Sequence, residues 1–161
     1  MKETLRAEAE RLGIFLTEQQ LDRFCAFGAA LLEKNKVMNL TAITEPEAVA
    51  RLHFADCLTL LKAADLKNAS VIDVGCGAGF PGVPLKLGEP TVRLTLLDSL
   101  QKRVHWLDET LKAMGVEAQC VAARAEEFPA RERYDFAVSR AVARLNVLSE
   151  LCLPFVRVGG A

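Results

Sequence analysis

The segment from Val71 to Gly82 constrains the fold more than any other part of the chain. It reads V-I-D-V-G-C-G-A-G-F-P-G, an apolar run that contains Asp73 and passes at once into closely spaced glycines. A short apolar run rich in β-branched residues is typical of a buried parallel strand. Glycines allow a tight turn and let a ligand approach the backbone without meeting a Cβ atom. The segment therefore predicts a strand followed by a ligand-binding turn.

Three further apolar runs follow, and helical patterns separate them. Strands are predicted at 70–74, 92–97, 118–122 and 134–138, and helices begin near Gly82, at Ser99 as an N-cap, and near Val142. Alternating strands and helices with short links predict right-handed crossovers and a parallel sheet that is covered by helices on both faces. We expect an α/β, Rossmann-like fold.

The first 66 residues carry helical signals only. A helix is predicted over 3–12, and a long amphipathic helix follows a capping box formed by Thr17 and Gln20. A second capping box, Thr44 with Glu47, predicts another helix to about residue 62, with Leu52 on its apolar side.

These patterns divide the chain into two segments. We expect residues 1–66 to form an N-terminal helical extension packed on the core, and residues 67–161 to form the Rossmann-like core, the two together making one compact structural domain. Residues 155–161 resemble the start of a fifth strand. The core is therefore expected to be incomplete, truncated at its C-terminus, and to continue beyond Ala161.

Composition restricts the class of protein but does not identify a binding partner. The formal net charge of −1 gives no support for nucleic-acid binding, which usually shows as a basic excess. No apolar run reaches the ~20 residues that span a membrane, and no signal peptide precedes the first helix, so we expect a cytoplasmic protein. His53 and Cys57 have the spacing of half a metal site, but nothing completes it, and no metal is expected.

The spacing of the glycines argues against a dinucleotide. A dinucleotide turn reads G-x-G-x-x-G, whereas Phe80 occupies the position of the third glycine here. A cofactor without phosphate, such as S-adenosylmethionine (SAM), fits the turn better. Asp98 lies 23 residues after Gly75, near the ~20-residue offset at which an acid reaches ribose hydroxyls. Taken alone, Asp98 is equally explained as a helix cap.

The candidate cofactor-binding residues all lie where a predicted strand ends. They are Asp73, Gly75, Gly77, Gly79 and Phe80 after the first strand, Asp98 and Ser99 after the second, Ala125 and Glu126 after the third, and Arg140 after the fourth. Glu126 is also compatible with an exposed carboxylate at a helix start. Arg140 directly follows an apolar strand and must pair or reach a ligand, because an unpaired buried charge is costly.

Two classes of methyl acceptor are disfavoured by absent motifs. Methylation of an exocyclic amine usually shows an Asn/Asp-Pro-Pro-aromatic run after the fourth strand, where this chain has Ser139–Val142. Methylation of a pyrimidine carbon needs a nucleophilic cysteine, typically after proline, and none of the five cysteines has that setting. The remaining acceptors include a ring nitrogen with a free lone pair.

Four ordered motifs resemble the bacterial 16S ribosomal RNA guanine-N7 methyltransferase family (RsmG, formerly GidB). They are Asn39–Ile43 with His53–Leu58, Asp73–Pro84, Leu97–Arg103 and Ser139–Ala143. Cys57 stands where the family usually has serine. The resemblance implies a class I SAM-dependent methyltransferase of the cytoplasm that acts as a monomer on N7 of a guanine in the 530 loop of 16S ribosomal RNA, in the 30S subunit, and releases S-adenosylhomocysteine.

The resemblance also implies roles for individual residues. It places cofactor contacts at Gly75, Phe80, Ala125, Glu126 and Arg140, with Asp98 near the ribose. Arg140 is the candidate catalytic residue. The residues expected toward the RNA are Asn39, His53, Lys102 and Arg103, together with Arg140.

Three other functions remain open from the sequence. The near-neutral charge is compatible with a SAM methyltransferase that acts on a small molecule or a protein. The short C-terminal part is compatible with a non-catalytic module that binds SAM or S-adenosylhomocysteine. An NAD enzyme is disfavoured by Phe80.

Overall fold

The structure is a computed structural model that describes residues 1–140 and 142–161. Ala141, which belongs to the Ser139–Ala143 motif, lies outside the described residues. None of the helices in the described part of the chain combines the length and the apolar character that crossing a bilayer requires.

Two helices open the chain as predicted. Helix α1 spans Lys2–Arg11 and helix α2 spans Glu18–Asn35. The capping box at the start of α2 is confirmed, because the Gln20 N–H donates to Thr17 Oγ1 at 3.1 Å and the Thr17 N–H donates to Gln20 Oε1 at 2.8 Å. The inner side of α2 is apolar and fully buried at Leu21, Phe24 and Leu31.

The next helical region departs from the prediction in two ways. Helix α3 (Pro46–Val49) has Glu45 as its N-cap without a side-chain hydrogen bond, so the predicted Thr44–Glu47 capping box is wrong. A π-helical segment, Ala50–Ala55, follows, and then come α4 (Asp56–Leu58) and α5 (Leu60–Ala63). Because the π turn changes the period of 3.6 residues, Leu52 points outward and is 59% exposed, against the prediction.

A four-stranded parallel sheet forms the centre of the molecule. The strands are β1 (Ser70–Val74), β2 (Arg93–Asp98), β3 (Gln119–Ala122) and β4 (Phe136–Val138), in the order β3-β2-β1-β4. Their pairing is parallel throughout. The strand order reverses between β1 and β4, so the ends of β1, β2 and β4 meet at the place where open α/β sheets bind ligands.

Two helices connect the first three strands. Helix α6 (Gly82–Gly88) links β1 to β2, and helix α7 (Gln101–Ala113) links β2 to β3. The N-cap of α7 is Leu100 rather than the predicted Ser99, which is exposed and makes no capping bond. The cause is Asp98, whose Oδ1 already accepts the Leu100 N–H at 2.8 Å.

Hydrophobic side chains pack on both faces of the sheet. The larger cluster joins side chains of the N-terminal helices, such as Phe24 and Phe54, to Leu94 and Leu96 of β2 and to α6 and α7. The smaller cluster covers the opposite face and includes Ile72 and Phe155. The N-terminal helices therefore share a core with the sheet, and this packing brings them to the edge of the ligand crevice.

The C-terminal part begins its helix later than predicted. Helix α8 spans Leu145–Cys152 rather than starting at Val142, and a 3-10 turn, Leu153–Phe155, follows it. Beyond this turn, Val156 forms a parallel bridge with Tyr134. The Ala137 N–H of β4 donates to the Ala161 carbonyl at 2.9 Å.

Candidate functional site

The glycine turn after β1 is held against the end of β2. The N–H groups of Gly75 and Cys76 donate to the Leu97 carbonyl at 2.8 and 3.0 Å, and the Gly77 N–H donates to Asp98 Oδ2 at 2.8 Å. Gly75 and Gly77 have φ values of +69° and +54°, a conformation that residues with a Cβ rarely adopt. The glycine turn therefore presents backbone atoms, rather than side chains, at the ends of the strands.

A cavity of about 580 Å³ lies over this turn. Its walls come from the loops after all four strands and, on the far side, from Leu40 and His53 of the N-terminal segment. Pockets of roughly 300–1,000 Å³ suit small molecules and cofactors. The volume is therefore compatible with a nucleoside cofactor.

Of the two glycines on the cavity wall, Gly77 leaves room for close approach of a ligand, whereas Gly75 is covered by the Val142 side chain. A Cβ added at Gly77 would have only Arg103 Nη1 nearby, at 3.6 Å, among the described atoms, so its free side faces open space. A Cβ at Gly75 would come within 2.6 Å of Val142 Cγ2. Gly79 differs, because a Cβ there would lie 2.8 Å from Val83 Cγ2 and 3.0 Å from Leu107 Cδ2. Gly79 serves the packing of the turn against α6 and α7.

Asp98 lies at the floor of the cavity and organises its surroundings. The residue is only 7% exposed, and each carboxylate oxygen accepts one backbone N–H, from Gly77 and from Leu100. Arg103 Nη1 lies 3.6 Å from Asp98 Oδ2. Asp98 is therefore not the N-cap of α7, which is Leu100, but it holds the Leu100 N–H and lines the cavity.

Asp73 is fully buried beneath the turn and is not part of the cavity wall. Its Oδ2 accepts the Gly82 N–H at 2.7 Å, and its Oδ1 has no hydrogen-bond partner among the described residues. Burial raises the pKa of Asp73 well above its ordinary value, and the hydrogen bond from Gly82 opposes that shift. Asp73 thus joins the end of β1 to the start of α6.

Arg140 lies at the end of β4, where it contacts the N-terminal segment. Its Nη2 is 2.6 Å from His53 Nδ1, its Nη1 is 3.6 Å from Asp56 Oδ2, and its Cζ lies 5.0 Å from the centre of the Phe80 ring. The neighbouring Ser139 Oγ donates to the Val74 carbonyl at 2.8 Å, which ties this loop to β1. The sequence predicted that Arg140 must pair or reach a ligand, and the structure shows it paired.

His53 is buried in the π-helical segment, and its ring stacks on Phe80. The two ring centres are 4.4 Å apart, and the planes are inclined by only 11°. Burial, followed by the nearby Arg140 guanidinium, lowers the pKa of His53 to about 4, and Asp56 opposes this weakly. His53 is therefore neutral at physiological pH.

Comparison with known proteins identifies the family. A family model described as rRNA small subunit methyltransferase G matches residues 19–161. The chain belongs to the rRNA small subunit methyltransferase G family. The resemblance drawn from the four sequence motifs is confirmed.

Curated members of the methyltransferase G family match nearly the whole chain. The ribosomal RNA small subunit methyltransferase G of Alkaliphilus metalliredigens is 49% identical over 99% of this chain and 69% of its own length. That of Desulforamulus reducens is 47% identical over 98% of this chain and 68% of its own length.

Solved structures support the fold of this methyltransferase G family member. A SAM-dependent methyltransferase from Aquifex aeolicus superposes with a TM-score of 0.55 at 19% identity, over 81% of this chain and 67% of the other. TYW2 of Pyrococcus horikoshii, solved in complex with MeSAdo, superposes with a TM-score of 0.56 at 16% identity, over 65% of this chain and 40% of the other. The predicted Rossmann-like class I methyltransferase fold is confirmed.

Most of the predicted cofactor residues of this methyltransferase G family member do line the cavity. Asp73 and Gly79 lie beneath the turn instead, because Asp73 is buried between β1 and α6 and Gly79 packs against α6 and α7. The residues that line the cavity are Gly75, Gly77, Phe80, Asp98, Ser99, Ala125, Glu126 and Arg140. Phe80 does so with little exposure, at 6%, since its ring packs among other aromatic rings.

The residues expected toward the RNA separate into two groups. His53 and Arg103 line the cavity. Asn39 is exposed outside the cavity wall, and Lys102 lies in a separate groove of α7 with His105. With Arg140, which also lines the cavity, the structure brings together three of the five, and the RNA contacts of all five stay predictions.

Sequence reasoning missed several residues of the site in this methyltransferase G family member. Leu40 and Arg124 line the cavity, and Arg124 Nε lies 3.7 Å from Glu126 Oε2. Asn35 and Thr41 hold the loop that carries Leu40. The available signal was an asparagine at a helix end before a turn, where its amide often bonds to the backbone.

Proposed function

We propose that this chain belongs to an enzyme that transfers a methyl group from SAM to N7 of a guanine in the 530 loop of 16S ribosomal RNA. The observation that carries the proposal is family membership combined with a nucleoside-sized cavity over the Gly75–Gly77 backbone. The relatives are named as ribosomal RNA small subunit methyltransferases, which supports RNA of the small subunit as the substrate class.

The residues present fit a nucleoside that carries no phosphate. The turn offers bare backbone at Gly77, and the Asp98 carboxylate beside it is a hydrogen-bond acceptor suited to ribose hydroxyls. Arg140 offers guanidinium N–H donors at the opposite wall, which suit a carboxylate. When bound, SAM supplies an activated methyl group on a sulfonium.

Methylation of guanine N7 needs no chemical activation of the acceptor by the protein. Its lone pair forms the new bond to carbon while the carbon–sulfur bond breaks and its electrons remain on sulfur, so no proton has to be removed. The residues of the site then need only bind, orient and exclude water. Both ring nitrogens of His53 are engaged, Nδ1 with Arg140 and Nε2 with Thr41, which is consistent with a site that needs no general base.

Charge around the cavity is compatible with an RNA substrate. Arg103, Arg124 and Arg140 line it together with Asp98 and Glu126, which leaves a local excess of one positive charge, although the whole chain carries −1. A local cationic region attracts the phosphate backbone and positions it.

The test uses labelled SAM with small ribosomal subunits from a strain that lacks this methylation. Parallel reactions contain free 16S RNA, large subunits, and small subunits without enzyme. The proposal expects one labelled guanine in the 530 loop, with strand cleavage after borohydride and aniline treatment, which detects N7 methylation. Label at another position or atom would overturn the N7 assignment. Label only on a small molecule or a protein, or SAM binding without turnover, would overturn the RNA function.

A further inference from the structure

The loop after α2 is held by one side-chain amide. Asn35, the last residue of α2, accepts the N–H groups of Leu40 and Thr41 on Oδ1 at 2.8 and 3.0 Å. Its Nδ2 donates to the Thr41 carbonyl at 2.9 Å. Three hydrogen bonds from one amide fix the backbone of Thr41, and they also place Leu40 on the cavity wall.

The Thr41 side chain, held in this way, contacts the His53 ring. Thr41 Oγ1 lies 2.7 Å from His53 Nε2 and also accepts the Ile43 N–H at 3.1 Å. On its other side, His53 Nδ1 lies 2.6 Å from Arg140 Nη2. The imidazole thus bridges a loop of the N-terminal segment and the loop after β4.

The chemistry of arginine decides the tautomer of His53. A guanidinium has donors only, so Nδ1 must offer a lone pair to Arg140, and the ring proton must lie on Nε2. The Nε2–H group then donates to Thr41 Oγ1. Protonation of Nδ1 would place two donors face to face, and the lowered pKa of His53 is consistent with a ring that stays neutral.

We infer that Asn35 is a positioning residue for Arg140. It acts through Thr41 and His53, and these four residues form what we call the Asn35 network. The inference deepens the proposed function and rests on it for its catalytic consequence. Among the described residues, Asn35 contacts neither the cavity nor Arg140. Its amide places the Thr41 hydroxyl, the hydroxyl accepts the His53 Nε2–H and so orients the ring, and the ring presents Nδ1 to the guanidinium on the cavity wall.

The network has a spectroscopic signature that is independent of activity. The chain has two histidines, His53 and the exposed His105, so long-range proton–nitrogen NMR correlations resolve both rings, with His105 as the internal reference. We expect wild-type His53 to show a single Nε2–H tautomer. In Asn35→Ala and Thr41→Val, Arg140 should still keep the proton on Nε2, but loss of the well-placed Thr41 acceptor should shift the His53 Nε2 and Nε2–H resonances. Thr41→Ser, which keeps the hydroxyl, should restore the wild-type pattern.

Glu33→Gln is the matched control, because Glu33 is exposed on the same helix and pairs only with Lys36 among the described residues. It should leave the His53 signals unchanged. Circular dichroism on each variant identifies any that fails to fold. If Asn35→Ala does not fold, wild type is compared with Thr41→Val, which retains the hydrogen bonds between the Asn35 amide and the backbone. Unchanged His53 Nε2 and Nε2–H resonances in folded Asn35→Ala and Thr41→Val would overturn the inference.

The catalytic consequence is measured by methyl transfer to small subunits at saturating SAM. We expect kcat to fall by about 100-fold in Asn35→Ala and Thr41→Val, as expected when a catalytic group is displaced by about 1 Å, and Thr41→Ser to retain most of it. A shift of the His53 resonances with normal kcat would overturn the positioning of Arg140. A shift of the His53 resonances in a protein whose wild type methylates no RNA would remove the proposed function and support the network alone.

Discussion

The backbone N–H of Gly77 donates a 2.8 Å hydrogen bond to Oδ2 of Asp98. This bond joins the glycine turn after β1 to the end of β2, and both residues line the same cavity. The turn and the acid are therefore one structural unit, and a change in either residue is expected to alter cofactor binding through the other.

We expect Gly77→Val to abolish cofactor binding while leaving the core folded. A side chain at Gly77 would project into the cavity, and its φ of +54° adds strain of about 1–2 kcal/mol for any residue with a Cβ. Binding of S-adenosylhomocysteine measured by calorimetry, with urea unfolding in parallel, checks this.

Gly115→Val is the matched control for that experiment. Gly115 has a φ of +68° and open space around it within 4 Å among the described atoms, and it lies outside the cavity, so the strain is similar without the obstruction. We expect similar losses of stability in the two variants and loss of binding in Gly77→Val alone. Equal affinities in both would contradict a backbone cradle at Gly77.

We expect Asp98→Asn to weaken both the fold and cofactor binding. Asparagine keeps one acceptor oxygen but turns an NH₂ group toward a backbone N–H, so one of the bonds to Gly77 and Leu100 is lost. A buried donor without a partner costs about 1–3 kcal/mol. Urea unfolding and calorimetry measure the two effects, with Asp108→Asn on the outer side of α7 as the control. Wild-type affinity in Asp98→Asn would exclude contact with the ribose.

Stability should depend on pH through His53. Its pKa is lowered to about 4 in the folded protein by burial and Arg140, whereas the unfolded value is about 6.5. As the pH falls, the unfolded chain therefore takes up the proton first. The contribution of His53 to stability is complete above about pH 6.5 and is lost as the pH falls toward 4. By pH 4.5 the free energy of unfolding has decreased by about 2–3 kcal/mol on this account.

Urea unfolding of wild type and His53→Gln at pH 7.5 and 4.5 tests this contribution. The groups that face His53 are Arg140 and, more weakly, Asp56. We expect a shallower fall in the free energy of unfolding for His53→Gln, and a wild-type slope for His105→Gln, whose side chain is exposed. Parallel curves for wild type and His53→Gln would show that His53 is not held neutral by the fold.

Arg140→Ala should reduce methyl transfer far more than it reduces stability. The guanidinium lies on the cavity wall, partly exposed and paired to His53 and Asp56, so its removal leaves little buried charge unpaired. We expect transfer to fall by about 100-fold with a loss of stability of about 1 kcal/mol. Arg131→Ala, on an exposed turn, is the control. An unfolded circular dichroism spectrum for Arg140→Ala would assign this arginine to the structure instead.

Local sequence signals predicted the elements that depend on neighbours along the chain. The apolar run before Gly75 became β1 within its predicted bounds, and Thr17 with Gln20 capped α2 as expected. These features depend on residues that are a few positions apart in the sequence, so they form in the same way whatever tertiary structure surrounds them. The strand ends at Asp98 and Arg140 were also predictable, because parallel strands place their carboxyl ends at one edge.

The local rules failed where packing imposed a different geometry. Leu52 turned outward because a π-helical segment occupies 50–55, and no periodicity of 3.6 residues anticipates that insertion. Ser99 did not cap α7, whose N-cap is Leu100, and Asp98 accepts the Leu100 N–H while its other oxygen holds Gly77. At Asp98, a contact with Gly77, distant in sequence, accompanied the departure from the prediction.

The sequence by itself determined the α/β order, the glycine turn and the family of this protein, because each is encoded by residues that are near neighbours or by motifs that stay together. The tertiary structure alone decided which polar side chains act together. Asn35 and Arg140 are linked only because the N-terminal helices pack against the sheet through a shared hydrophobic core. That packing is driven by the burial of apolar area. No local sequence pattern shows which polar groups the packing will bring within hydrogen-bonding distance.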